Sequence, residues 1–560
     1  MVVSELPKLR IDHHGDSYEG IAAASSIGMA LMESSGIRSM IDDSCEFDRA
    51  QRILSPGMGV KALIGPVFNL RNKFPLYTVN KSYASAPNDY LFGDRVSVSS
   101  LNDDALGRTL DTLAKMDLEA LFTKCSDLCV KKYGLSSQTL HDDSTNIPFY
   151  GMRHDDVPEG EIHPDYACSP KDHRRNLLHF CYQLSVGGNG LLRHMRGYSG
   201  NAADCVMDND TLDFIGRTMD RNLLKDLVYV ADSKFMTAPN VLKARSAGVA
   251  FVSRCPVNFG GSIQGKVIDL AMAGVWTESE RYEGLLTFDT DQTIETDDLR
   301  MDMRFIATLN VAKMEALVRK RVAEVESGKP FGKIVGRQYD SEEKALDAVS
   351  SVKVPEFGTA EYTIVVSERE VKRPGKKPKG YVPIMEPCWV VESARIVADT
   401  EAIIEWAKRE SVFVLATDLP RPKDGKDSER YRDGMTPDGV IMIYREEYVV
   451  EHAFRFMKSG LGIDTVFLQT PSRERAMMFV IAIAALITSL ADALLREKDI
   501  SVDGRNATMY MLAMELLTTT IELDRADCRL SVRGPTTVNE RFFDYTDALE
   551  INPRYLLGHT

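Results

Sequence analysis

The sequence predicts a mixed α/β protein in which a helical N-terminal region precedes an α/β core, and a long strand-rich insertion interrupts that core. Three observations support this prediction. Apolar residues recur at helical spacing through about residue 125. From residue 137 the pattern changes to three strands and then to alternating helices and strands. The alternation stops near residue 256 and resumes with an apolar run at residue 411.

The composition is that of a globular protein with more than one core. The chain has 560 residues, of which 44% are apolar and 27% are charged. Its nine cysteines are scattered, so we expect reduced cytosolic thiols rather than a zinc site. A net charge of −14 argues mildly against nucleic acid as a partner, although local basic runs such as residues 372–379 are present.

Neither a secretory signal nor a membrane span is expected. The first residues have no basic stretch followed by an apolar core. The uncharged run from Ala476 to Ala491 is shorter than the roughly 20 residues that cross a bilayer. Charged residues bound this run closely on both sides, which favours a buried core helix.

The N-terminal region is predicted to be a helical domain over residues 1–130. Residues 21–35 are apolar with small side chains, and Gly36 is a good helix terminator. A second helix is predicted from about residue 103 to residue 116, where leucines recur at helical spacing.

The α/β core begins with three antiparallel strands. Strands are predicted at residues 138–150, 176–186 and 191–198, and Gly187-Gly188-Asn189-Gly190 forms the hairpin turn between the last two. A helix at residues 211–219, a buried strand at residues 227–232, a helix closed by Gly248 and a strand at residues 249–253 follow. A three-strand meander followed by alternating helices and parallel strands is the order of the ribonuclease H-like fold.

The second half of the chain completes the core. Residues 257–410 are interpreted as an insertion, since their mixed strands and charged helices break the alternation. A strand at residues 411–417 and a helix at residues 439–460 then resume it. The predicted domains are residues 1–130, 131–256 (core, first part), 257–410 (insertion), 411–500 (core, second part) and 501–560 (a helical C-terminal extension).

Three carboxylates are candidate metal ligands: Asp143 in the first core strand, Asp232 at the carboxyl end of a buried strand, and Glu451 on the helix that follows. The carboxyl ends of parallel strands are where α/β sheets bind ligands. Structural alternatives remain open for each residue. Asp143 could form a local turn, Asp232 could cap the next helix, and Glu451 could pair with Arg455 on a solvated helix face.

Three carboxylates together suit a phosphoryl-transfer site. Mg²⁺ prefers hard oxygen ligands, and two such ions about 4 Å apart can bind the attacking and leaving oxygens of a phosphodiester. Mn²⁺ is a possible substitute. A Tyr and a Lys on the helix of the third carboxylate, Tyr444 and Lys458, could hold flanking phosphates.

At these residues the sequence resembles the DDE transposases of bacterial insertion sequences, in the branch with a long strand-rich insertion in the core. The resemblance covers most of the chain. It includes Leu101-Asn-Asp-Asp-Ala-Leu-Gly-Arg-Thr-Leu-Asp111 in the helical domain, Asp143-Ser-Thr-Asn, the basic turn Ser169-Pro-Lys171-Asp-His-Arg174-Arg175, Gly200-Asn201-Ala-Ala-Asp204, and Val230-Ala-Asp232-Ser.

The last family signature is present with one departure. The family has a Tyr, an Arg three residues on, a Glu four after that and a Lys seven further. Tyr444, Glu451 and Lys458 match these positions, but Glu447 stands where the Arg should be. An acidic residue there cannot bind phosphate, so either Arg455 substitutes for the Arg or the activity is weakened.

The resemblance implies a transposase whose N-terminal domain, residues 1–130, recognises the element's ends. It also implies that the protein hydrolyses DNA to a 3′ hydroxyl and joins that hydroxyl to target DNA. It implies catalytic and metal-binding roles for Asp143, Asp232 and Glu451. DNA contacts are implied for Tyr444, Lys458, Arg455, Lys171, Arg174 and Arg175. A homodimer pairing two ends and a cytoplasmic, nucleoid-associated location are also expected. The alternatives are a metal-dependent nuclease without strand transfer and a DNA-binding descendant that no longer cuts.

Overall fold

The computed structural model describes most of the chain in two compact units. The described residues are 19–50, 52–69, 76–149, 162–166, 176–202, 204–218, 224–295, 300–327, 330–371, 375, 380–446, 470–502, 504–524 and 529–556. Unit 1 contains residues 1–256, 297–299 and 417–560, and unit 2 contains residues 257–296 and 300–416. Unit 2 therefore covers nearly the same residues as the predicted insertion.

The N-terminal part of unit 1 is helical apart from one short strand. Its elements are β1 Glu19–Ala22, α1 Ala23–Ser35, α2 Ile37–Ser44, α3 Pro56–Phe68, α4 Asn88–Phe92, α5 Asp103–Leu113 and α6 Leu118–Tyr133. Gly36 ends α1 with φ of 87°, as its sequence position predicts. Ile21 was expected in the first helix, but it lies in β1, where it pairs with Ile521 near the other end of the chain.

The core sheet of unit 1 has the strand order of the ribonuclease H-like fold. Its elements are β2 Thr139–Phe149, β3 Asp165–Tyr166, β4 Leu178–Gly187, β5 Leu192–Ser199, α7 Asp204–Thr218, β6 Val228–Ala231, α8 Ala238–Ala247 and β7 Ala250–Arg254. The order across the sheet is β5, β4, β2, β6, β7, and the short β3 also pairs with β4. β2, β4 and β5 are antiparallel neighbours, whereas β6 and β7 run parallel to β2. The predicted meander and parallel strands are confirmed.

Local sequence explains these elements. Gly190 adopts φ of 82° in the turn between β4 and β5, a backbone conformation that favours glycine. Gly248 closes α8 in the left-handed conformation, as predicted. All four residues of β6 are buried, which fits its continuous apolar run. Helix α7 begins at Asp204 and is longer than the predicted helix at residues 211–219.

Unit 2 is rich in strands. Its elements are α9 Ile263–Ala273, β8 Thr277–Glu278, β9 Leu285–Glu295, β10 Arg300–Asn310, α10 Val311–Glu326, β11 Gln338–Tyr339, α11 Glu342–Ser350, β12 Gly358–Glu370, β13 Met385–Ala398, α12 Thr400–Ser411 and β14 Val412–Thr417, whose last residue belongs to unit 1. β14, β10, β9 and β8 are consecutive strands of one sheet, and β11, β13 and β12 form a second sheet. The predicted strand-rich insertion is confirmed, while most of the basic run at residues 372–379 lies outside the described residues.

The C-terminal part returns to unit 1 and closes its core. Its elements are α13 Pro437–Arg445, α14 Pro471–Glu497, β15 Ser501–Val502, β16 Arg505–Asn506, α15 Met509–Glu515, β17 Thr520–Asp524, β18 Arg529–Arg533 and α16 Thr536–Ala548. Strand β17 lies between β1 and β18 in a three-stranded sheet. The two ends of the described chain are therefore joined by backbone hydrogen bonds.

Helix α14 is the central helix of the unit 1 core. Its apolar residues share one hydrophobic cluster with the N-terminal helices and with β4 and β5. The helix is long and apolar enough to cross a membrane by length and composition, yet 89% of its most apolar window is buried inside the protein. Burial against helices and strands is what the sequence predicts for residues 476–491, although the helix extends beyond that run at both ends.

Candidate active site

Two of the three predicted metal ligands lie next to each other on adjacent parallel strands, at the point where the pairing of these strands ends: Asp143 lies within β2, and Asp232 directly follows β6. β2 and β6 pair in parallel register up to Asp142, which is opposite Ala231. Asp143 and Asp232 are the next residues on the two strands, and neighbouring strands are about 4.8 Å apart. Asp232 keeps an extended backbone, with φ of −70° and ψ of −179°. The fold therefore brings Asp143 and Asp232 together at one edge of the core.

Each aspartate also binds a nearby backbone amide. Asp143 Oδ1 accepts a hydrogen bond from the amide of Ser144 at 2.7 Å. Asp232 Oδ1 accepts one from the amide of Lys234 at 2.7 Å, which caps a short 3-10 turn. Both side chains are half-buried. The helix-capping alternative for Asp232 thus describes a real contact, and this contact fixes the orientation of the carboxylate at the strand end.

The helix that carries Tyr444 approaches the same face of the sheet. His141 and Asp143 are two residues apart on β2, so their side chains point to the same side. The imidazole Nε2 of the fully buried His141 is 3.7 Å from Glu446 Oε2, and Glu446 directly follows α13. The C-terminal end of α13 therefore lies beside the face of the sheet that carries Asp143. Tyr444 is half-buried in the last turn of α13.

The remaining predicted site residues lie outside the described residues. These are Glu451, Glu447, Arg455, Lys458, Lys171, Arg174 and Arg175. Among the residues that the structure describes, no group of three or more His, Cys, Asp or Glu side chains is placed to hold a metal ion. The third predicted ligand, Glu451, is outside the described residues. The structure therefore shows the relative position of two predicted ligands, Asp143 and Asp232.

The donor set of this pair suits a hard divalent cation. Two carboxylates on neighbouring strands of a sheet offer the oxygen ligands that Mg²⁺ and Mn²⁺ prefer. A cation between Asp143 and Asp232 also offsets the repulsion between two half-buried negative charges. The residues present therefore fit a metal site.

A buried polar network that the sequence analysis missed lies on the opposite face of β2. Side chains alternate along a strand, so Asp142 points away from Asp143. Asp142 accepts a hydrogen bond from Ser185 Oγ at 2.5 Å, and also from Gln183 Nε2 and the Tyr229 hydroxyl. Only a weak sequence signal could have indicated this network: Gln183 and Ser185 are polar residues two positions apart in a mostly apolar strand, and they face Asp142 from β4.

Burial dominates the electrostatics of this network. Asp142 is 2% exposed, and burial raises the pKa of its carboxyl despite the hydrogen bonds from Ser185, Tyr229 and Gln183, which lower it. The pKa of the Tyr229 hydroxyl is raised by burial and by the nearby carboxylates of Asp142 and Asp208. Such a network is held by hydrogen bonds, because an unsatisfied buried charge would be costly.

Comparison with known proteins identifies the family. The family described as "Transposase DDE domain" matches residues 143–487, and a "Domain of unknown function (DUF4277)" matches residues 25–127. No curated protein matches the chain. The first match begins at Asp143 and spans more than half of the chain, including Asp232 and Glu451. The chain therefore belongs to the family of transposases with a DDE domain.

Proposed function

We propose that this transposase cuts and joins DNA at the ends of an insertion sequence in a Mg²⁺-dependent reaction. Membership of the family establishes a transposase that acts on DNA. The observation that carries the finer proposal is the placement of Asp143 within β2 and Asp232 directly after β6, each one residue beyond the last pair that joins these two parallel strands. This is where an α/β sheet presents ligands to a substrate.

Asp143, Asp232 and Glu451 would hold the metal ions. When bound, the ions supply activation of the attacking oxygen and stabilisation of the leaving oxygen of the phosphodiester. The chain's own contribution is to fix the carboxylates. Backbone amides orient Asp143 and Asp232, and His141 Nε2 lies 3.7 Å from Glu446 Oε2, five residues before Glu451 in the sequence.

The DNA contacts are proposed from the sequence signature. Tyr444 and Lys458 would bind phosphates that flank the scissile bond, and Arg455 would take the place of the Arg that Glu447 replaces. The basic turn with Lys171, Arg174 and Arg175 would bind the DNA backbone. The N-terminal helices would recognise the element's ends. We also propose a homodimer that pairs two ends and works at the bacterial nucleoid, with Mn²⁺ as an alternative ion.

The test is cleavage of a labelled duplex carrying the element's own ends, in Mg²⁺ and in EDTA. Wild type is compared with Asp232→Asn and Glu451→Gln. Each change replaces one carboxylate oxygen by an amide nitrogen at nearly constant volume, so the fold is retained. We expect Mg²⁺-dependent nicking by wild type and at least a hundredfold loss in each variant, the order that loss of a key catalytic interaction gives.

The products distinguish the candidate functions. Joined products support strand transfer, whereas nicks without joining identify a metal-dependent nuclease. End binding without any cleavage by wild type would identify a DNA-binding descendant that no longer cuts. One observation favours the non-cutting alternative: Glu447 is an acidic residue where the family signature has a phosphate-binding Arg.

A further inference from the structure

We propose that Asp142 is a positioning residue, which fixes the spacing of Asp143 and Asp232 by tying β2 to both of its neighbouring strands. The proposal rests on the proposed function, because it concerns the carboxylates assigned there to metal binding. Asp142 itself faces away from the metal side of the sheet. It acts through the backbone that it shares with Asp143.

The contacts of Asp142 join three strands. Ser185 and Gln183 donate to its carboxylate from β4, and the Tyr229 hydroxyl donates from β6. All four side chains are at most 2% exposed. Hydrogen bonds to a carboxylate are stronger than those between neutral groups. One side chain therefore links β4, β2 and β6 in a region closed to water.

The position of this link matters for the candidate site. Asp142 and Ala231 are the last paired residues of β2 and β6, and β6 ends at Ala231. Directly beyond this pair, Asp143 and Asp232 depend on the preceding pair for their separation. A link between the strands at Asp142 thus acts one residue before the two carboxylates that must converge.

A second carboxylate holds the same donors in place. Asp208, on helix α7, accepts a hydrogen bond from Gln183 Nε2 at 3.1 Å, and its Oδ1 lies 3.4 Å from the Tyr229 hydroxyl oxygen, whose single proton is donated to Asp142. Gln183 and Tyr229 therefore lie between two carboxylates, which restricts their rotation. Asp208 is 5% exposed, so the whole arrangement is packed under α7.

The test measures metal binding by the full-length protein without DNA. Free Mn²⁺ is followed by its electron paramagnetic resonance signal for wild type, Asp143→Asn, Asp142→Asn and Asp492→Asn. Asp492 is the matched control, because it is a largely buried aspartate on α14 that accepts a hydrogen bond from the Met509 amide. We expect Asp142→Asn to weaken Mn²⁺ binding by about 10- to 100-fold, the usual effect of losing a residue that orients a ligand. Asp492→Asn should bind Mn²⁺ as wild type does.

A purely structural role predicts a different result. If Asp142 only stabilises the fold, Asp142→Asn lowers the melting temperature and leaves the Mn²⁺ affinity of the folded protein unchanged, which overturns the proposal. Tyr229→Phe keeps the ring and removes one donor, and it decides the matter if Asp142→Asn does not fold. We expect a severalfold weaker Mn²⁺ affinity for Tyr229→Phe, and an unchanged affinity would overturn the proposal.

The failure of the proposed function gives a separate pattern. If wild type binds no Mn²⁺, or if Asp143→Asn binds it as wild type does, then the metal assignment fails and the positioning role fails with it. If Asp143→Asn weakens binding while Asp142→Asn and Tyr229→Phe do not, only the positioning role is wrong.

Discussion

Replacing Lys61 by Met should destabilise unit 1 while leaving unit 2 intact. Lys61 is completely buried on α3, where its Nζ lies 2.9 Å from Glu33 Oε1 and donates to the Leu91 carbonyl at 2.8 Å. Burial alone would raise the pKa of Glu33, but the charges of Lys61 and Arg38 outweigh it and hold that pKa below its ordinary value. Met has a similar length and no charge, so Glu33 would lose its buried partner.

The expected cost follows from what remains around Glu33. Removing one partner of a buried ion pair costs about 3 to 5 kcal/mol, since the other charge is left uncompensated. Arg38 Nε still lies 2.9 Å from Glu33 Oε2, which favours the lower end of that range. A loss of about 3 kcal/mol reduces the folded-to-unfolded ratio by roughly a hundredfold.

The protein offers an internal control for this measurement. All three tryptophans, Trp276, Trp389 and Trp406, lie in unit 2. Tryptophan fluorescence in urea therefore follows unit 2, while far-UV circular dichroism also follows the helices of unit 1. We expect Lys61→Met to lower the unit 1 midpoint by at most about 1 M urea, given slopes of about 3 kcal/mol/M or more for a unit of this size. The fluorescence midpoint should not move.

A second substitution tests the cause. In Lys61→Met with Glu33→Leu, no buried carboxylate is left without its partner, so most of the lost stability should return. If Lys61→Met alone has the wild-type circular dichroism midpoint, then the buried ion pair does not stabilise unit 1 as argued. A double variant as unstable as the single one would show that the loss comes from packing rather than from the orphaned charge.

Three further predictions concern other parts of the chain. Burial raises the pKa of Asp492 to about 6, so the folded state binds a proton more tightly than the unfolded state and stability falls as pH rises from about 4 to 6. Asp492→Asn should remove that fall, gaining no more than about 3 kcal/mol at pH 8 and little at pH 4 in thermal melts at both pH values. Arg304→Met should lower the tryptophan-fluorescence midpoint and not the unit 1 midpoint, because Arg304 on β10 forms a bidentate pair with Asp289 on β9. Equal shifts of both midpoints would contradict this prediction. Lys458→Ala should weaken DNA binding or cleavage with an unchanged circular dichroism spectrum, and unchanged activity would remove its phosphate-binding role.

Much of the core could be predicted from local sequence patterns. The hairpin between β4 and β5 follows from its Asn-Gly turn, and α8 follows from Gly248, because these signals act within a few residues. The buried strand that precedes Asp232 follows from its continuous apolar run. These patterns sufficed to place Asp143 in the first core strand and Asp232 at the end of a buried strand, whereas the parallel pairing of the two strands comes from the structure.

Features that depend on distant parts of the chain could not be predicted in this way. Ile21 has the neighbours of a helical residue, yet it joins a strand because β17, about 500 residues later, offers a pairing edge. The link through Asp142 needs Ser185 and Tyr229 from two other strands. A single sequence gives no register between strands, so such a network becomes visible only when the strands are aligned.

The proposed function requires that Asp143, Asp232 and Glu451 bind at one metal site. Fe²⁺ can replace Mg²⁺ at carboxylate sites, and with ascorbate and peroxide it generates radicals that cut the nearby backbone. Mapping the fragments of the full-length protein by mass spectrometry should reveal cuts near residues 143, 232 and 451. All three cuts should disappear in Asp143→Asn and in excess Mg²⁺. Cuts that avoid residues 143 and 232, or that persist in Asp143→Asn, would contradict the shared metal site.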